Sequence, residues 1–113
     1  MQAGREGEAL SVLSEAARLD NGSGKAHYGI AHLLAYSRVA GVHELRVALA
    51  HARRAVFLEP GNPEYMDTLA EVLYQMGKRK DAVKFIQEAI KLAPDNSHLR
   101  AQLARFKTDK GDN

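Results

Sequence analysis

The sequence predicts an all-α protein, an α-solenoid of stacked antiparallel helix pairs. Three observations lead there. Three segments, Ala9–Asn21, Ala48–Pro60 and Ala82–Pro94, share one pattern: an opening Ala, a second Ala seven residues on (Ala16, Ala55, Ala89) and a Leu three further (Leu19, Leu58, Leu92). The stretches between them also correspond, with Ile30-Ala31 and Leu33-Leu34 standing over Leu69-Ala70 and Val72-Leu73, then Leu103-Ala104 and Phe106. Both series advance by the same two steps, 39 and then 34 residues. Within every segment the apolar residues recur at three- and four-residue intervals, the period of a helix with one buried face. A repeat of this length cannot bury both its faces alone, so its copies must stack.

Six helices are predicted, at 5–20, 24–39, 43–58, 63–76, 79–92 and 97–108. Ser23, Asn62 and Asn96 fall at equivalent places and supply an oxygen for an orphan backbone N–H at a helix start. Pro63 follows at the first helical position, where its missing N–H costs nothing. Pro60 and Pro94 stop the preceding helices, and Gly77 makes the tight turn inside a pair. The longer first step holds five extra residues between Tyr36 and Leu45. Ala31, Ala70, Ala82 and Ala89 let neighbouring helices approach closely. One domain over 1–113 is expected: the second helix of a partial repeat (5–20), a repeat with the insertion (23–60), a regular repeat (62–96), a capping helix (97–108) and a tail (109–113).

Composition narrows the function. A chain of 113 residues with 45% hydrophobic and 27% charged residues has the balance of one folded domain. Sixteen Lys and Arg against fourteen Asp and Glu give a charge of +2, too small to indicate nucleic acid. The absence of cysteine excludes disulfides, thiolate chemistry and Cys-based metal sites. No apolar run approaches the roughly 18–20 residues needed to cross a bilayer. The start, MQAGREGEAL, lacks the apolar region of a signal peptide, which leaves the cytoplasm as the default compartment.

Asn62–Asn96 resembles a tetratricopeptide repeat: Leu69-Ala70, Leu73, Gly77, Ala82, Ala89 and Pro94 occupy the signature places. Met66 stands where the family usually has Trp or another aromatic. Ser23–Pro60 is a looser copy, the N-terminal helix resembles the second half of a repeat, and the last helix resembles a solvating cap. The resemblance implies a non-enzymatic scaffold that mediates protein–protein interaction, a module of a larger protein. It further implies that the first helix of each pair lines a concave groove for a peptide or partner segment. Carried over residue by residue, the groove candidates are Lys25, Tyr28, His32 and Tyr36, then Glu64, Asp67, Thr68, Glu71 and Gln75, then His98, Gln102 and Arg105. Glu64, Asp67, Glu71 and Gln75 form one mostly acidic stripe, expected to line an open groove and to suit an extended segment with Lys or Arg. The competing reading is a merely solvated helix face. A subset of the family clamps a C-terminal carboxylate with Lys and Asn; here Tyr28, His32, Thr68, His98 and Gln102 hold those places, so the clamp is absent.

Other chemistry finds little support. His27 and His32 are five apart and His43 and His51 eight apart, neither the i, i+4 spacing of a helical metal-ligand pair. Asn21-Gly-Ser-Gly-Lys25 ends like a phosphate loop but has Leu19 where a Gly is needed and Ala26 in place of Ser or Thr. Lys78-Arg79-Lys80 and Arg53-Arg54 lack interleaved aromatics and read as solvated surface. No nucleophile–base or paired-carboxylate arrangement is present, so no catalytic, cofactor or metal site is expected.

Two features suggest assembly. The first helix enters without a partner helix, so Leu10, Leu13 and Ala17 are expected to present an uncovered apolar face. Truncation of a longer array is the first explanation and a homodimer the rival. The insertion adds Val39 and Val42, and Phe57 stands where sister helices carry Arg18 and Lys91.

Overall fold

The computed structural model describes residues 2–36 and 41–108, with side chains from residue 7 onward. Among the described residues there are six α-helices and no strand: α1 (Gln2–Leu19), α2 (Gly24–Ala35), α3 (Val42–Leu58), α4 (Pro63–Gln75), α5 (Arg79–Leu92) and α6 (Ser97–Thr108). The solenoid expectation holds, with each helix packed on its neighbours and α2 also touching α4.

Local chemistry sets the helix ends. Ser23 Oγ accepts the Ala26 N–H at 3.1 Å, Asn62 Oδ1 accepts from Glu64 and Tyr65 at 3.0 and 3.3 Å, and Asn96 Oδ1 accepts from Leu99 at 3.2 Å. These are the three predicted caps, each quenching orphan donors of a first turn. α3 starts differently: the Glu44 carboxylate reaches back to the Gly41 N–H at 2.8 Å, which holds that carboxyl below its ordinary range. α4 closes on Gly77 at φ 81°, with Gly77 N–H donating to Tyr74 and Lys78 N–H to Leu73, a left-handed cap that a residue with a Cβ resists. α2 ends at Ala35, capped by Tyr36, and residues 37–39 of the expected helix lie outside the described residues. α1 begins at Gln2, before the expected residue 5, because isolated glycines weaken a helix without breaking it.

Alanines carry the close packing. Ala31, Ala52, Ala70, Ala82 and Ala89 join Leu69, Leu73, Ile86, Leu99 and Phe106 in one buried cluster across α2 to α6. A second cluster, with Ala17, Ala26, Ile30, Leu34, Ala48 and Val72, ties α1 to α2, α3 and α4. The arrangement leaves α2, α4 and α6 side by side.

Candidate functional site

Three aromatic rings climb α2 at one-turn intervals. Tyr28 and His32 have centroids 5.5 Å apart, and His32 and Tyr36 4.7 Å apart. Tyr28 also stacks on Tyr65 of α4 at 4.9 Å, which fixes the foot of the ladder. Facing it is a cleft of about 510 Å3 lined by Tyr28, His32, Tyr36, Glu64, Asp67, Thr68, Asn96 and His98. Burial raises the Tyr28 hydroxyl above its ordinary pKa, and the charges of Glu64 and Asp67 add to this. Tyr36 is raised as well, first by burial and then by Glu71 and Asp67. Both phenols therefore stay protonated and can donate to a carbonyl or carboxylate.

The acidic stripe of α4 behaves differently from the expected open row of charges. Asp67 is 9% exposed and Glu71 3%. His98 Nε2 donates to Asp67 Oδ2 at 3.0 Å, and Gln102 Nε2 donates to Asp67 Oδ1 at 3.2 Å and Glu71 Oε1 at 3.1 Å. Arg105 pairs with Glu71 Oε1, while Gln75 Nε2 bonds both Glu71 Oε2 and the Ala35 carbonyl, at 2.8 and 2.7 Å. The expectation of an open acidic groove is corrected: α6 lies beside α4, and its polar side chains occupy the carboxylate lone pairs. Arg105 is held in turn by the Tyr74 and Phe106 rings at 4.9 and 5.2 Å. Glu64 remains the exposed carboxylate of the cleft.

A family model described as the tetratricopeptide repeat matches residues 63–96, the span of α4, the Gly77 turn and α5. The chain carries a tetratricopeptide repeat. Repeats of this family generally mediate protein–protein interaction, and the family is a non-enzymatic scaffold. A search of curated proteins finds no match for the chain.

Beside the matched repeat, the structure gathers Tyr28, His32, Tyr36, Glu64, Asp67, Thr68 and His98 in the cleft. Glu71, Gln75, Gln102 and Arg105 join the adjoining polar network, and Lys25 lies exposed outside both. Asn96 and Tyr65 are additions to the expected groove residues. Asn96 is a cap by its pattern, and a cap with a free face can do both; Tyr65 holds none of the signature places and carries no pattern of its own.

The expected assembly face is also corrected. Ala17 is buried, and Leu10 and Leu13 pack into the second core cluster, because α2 covers this side of the helix. A Cβ built at Gly29 of α2 would stand 2.9 Å from Leu13 Cδ2, so the two helices meet here at close range. Among the described residues, the exposed large hydrophobics of α1 are instead Val12 and Leu19, at 68% and 72%. Val42 is exposed, and Val39 lies outside the described residues.

One histidine pair escaped the spacing argument. His27 Nε2 bonds the Asn21 carbonyl at 3.0 Å, and since a carbonyl only accepts, this nitrogen carries the proton. His27 Nδ1 is then the acceptor, and His51 Nδ1–H donates to it at 2.8 Å. The pair bolts α3 to α2 and to the turn before it. Among the described residues, no three His, Cys, Asp or Glu side chains converge to hold a metal, and no helix is long and apolar enough to cross a membrane.

Proposed function

We propose that this chain is a protein-interaction module that holds an extended partner segment in the concave cleft, against the Tyr28–His32–Tyr36 ladder. The observation that carries the reading is the ladder itself. His32 and Tyr36 are exposed aromatics facing a cleft whose volume falls in the usual range for ligand sites, roughly 300–1,000 Å3. Aromatic rings give large contact area for little lost side-chain freedom. Protonated phenols, His98 and Glu64 supply polar contacts on both walls. A basic residue in the partner is served by Glu64 and is not obligatory, since Asp67 and Glu71 are already engaged. In this reading residues 23–60 are a repeat with an insertion and 97–108 a cap over one continuous unit.

The test is a displayed library of random linear peptides selected on the wild-type chain, with affinities then measured by fluorescence anisotropy. His32→Ala/Tyr36→Ala removes two exposed rings and should weaken selected peptides at least tenfold, with an unchanged melting curve. Peptides that bind both proteins equally, or shift NMR resonances only on α3 and α5, would overturn the groove assignment.

A further inference from the structure

The repeat gives every helix a place. α2 and α4 are first helices of a pair and α3 and α5 second helices; by pattern α1 is a second helix and α6 a first helix. Comparing equivalent positions exposes a difference at both ends. Ala48, Ala52 and Ala55 of α3, like Ala82, Ile86 and Ala89 of α5, are 0–1% exposed. Their counterparts on α1 are Ala9 and Ala16, both exposed, and Leu13, half-buried. Likewise Leu69, Ala70 and Leu73 of α4 are 0–2% exposed, whereas α6 has half-buried Leu103, exposed Ala104 and exposed Lys107. α1 thus presents a seat shaped for a first helix, and α6 a seat shaped for a second.

The charges on the two seats are opposite. Glu8 and Glu15 edge the small face of α1, while Arg100 and Lys107 edge that of α6, and all four are exposed. Their registers also agree. Arg100 holds the position of His27, which touches His51, and the α1 counterpart of His51 is Val12, one turn from Glu15. Lys107 holds the position of Leu34, which shares a pocket wall with Val47, and the α1 counterpart of Val47 is Glu8. Lys107 would therefore face Glu8 at one end of an α6–α1 pair, and at the other Arg100 would lie over Val12, within one turn of Glu15. Glu15 now pairs with Arg18 on the surface, an interaction of small worth that it can exchange.

We propose that copies of this chain associate head to tail, with α6 of one copy seated on α1 of the next as a composite helix pair. The small residues bring the backbones together, and the Arg100/Lys107 and Glu8/Glu15 rows set the register. A symmetric pairing of α1 with α1 is disfavoured because it would set two acidic edges in one interface. A head-to-tail contact is heterologous, so copies add in one direction, as a filament or as a ring where the rotation closes.

Sedimentation of the full chain from micromolar to millimolar concentration tests this. The mass should rise with concentration through successive multiples of one chain, and association should weaken as salt is raised. Glu8→Lys/Glu15→Lys and Arg100→Glu/Lys107→Glu should each stay single-chain, while their equimolar mixture, whose opposed seats are again complementary, should associate. Circular dichroism confirms that each variant is folded; should a reversal unfold the chain, Glu8→Gln/Glu15→Gln should still weaken association at least tenfold. A single-chain mass for wild type throughout overturns the proposal, as does salt-insensitive association. Full association of Arg100→Glu/Lys107→Glu overturns it in favour of a symmetric α1 contact. His32→Ala/Tyr36→Ala should leave the mass unchanged, which separates this test from that of the groove.

Discussion

Glu71 and Arg105, thirty-four residues apart, hold one another between α4 and α6. Glu71 is 3% exposed and also accepts from Gln75 and Gln102, so one carboxylate organises donors from α4 and α6. Removing one member of such a pair strands the others. Glu71→Ala should lower unfolding stability by about 3 kcal/mol, read from urea denaturation, and Glu71→Gln should cost less. A loss below about 1 kcal/mol would mean that the network is not holding α6. For the same reason, charge reversal at Asp67 or Glu71 tests the fold before it tests binding.

The His27–His51 pair carries a pH dependence of defined sign. Burial, and then the charge of His27, hold the His51 imidazole below its ordinary pKa. The unfolded chain therefore takes up a proton near pH ~6.5 that the folded chain still refuses. Stability from this group is full above that pH and is lost as pH falls from the unfolded value to the folded one. The melting temperature should drop between neutral and mildly acidic buffer, and His51→Leu should flatten that drop. An identical drop in the variant would place the dependence elsewhere.

Gly29 lets α1 dock. A Cβ there would lie 2.9 and 3.1 Å from the two δ carbons of Leu13. Gly29→Val forces these apart and should cost roughly 1–3 kcal/mol. Hydrogen exchange should quicken in α1 while α4 to α6 keep their protection; uniform quickening would show that α1 is not a separable layer.

Gly77 sits at φ 81°, and a Cβ at this position would meet nothing within 4 Å, so its cost on substitution is conformational and not steric crowding. Gly77→Ala should destabilise by roughly 1–2 kcal/mol, and Gly77→Asn by less, since Asn tolerates the left-handed region better. Thermal melts of the two variants should therefore rank Asn above Ala.

What the sequence made legible was local. Ser23, Asn62 and Asn96 act within three residues of themselves, and the Ala and Leu signature repeats in register, so helix number and pairing could be read directly. The polar network could not. Asp67 and Glu71 meet His98, Gln102 and Arg105 only because α6 lies beside α4, and nothing in a helical stripe of acids distinguishes a solvated row from a covered one. The α1 face failed for a related reason: Leu10 and Leu13 are apolar whichever neighbour they meet, and which side α2 covers is a property of the packing. His27 and His51 lie on different helices, so spacing along one helix could not find them.

The nearest-neighbour packing of the helices has a kinetic consequence. Each helix meets chiefly the helices next to it along the chain, so loop closure is cheap and folding should be fast. The α4–α5 pair, the matched repeat with its Gly77 turn, should form first. Order would then spread outward in both directions, reaching α1 last.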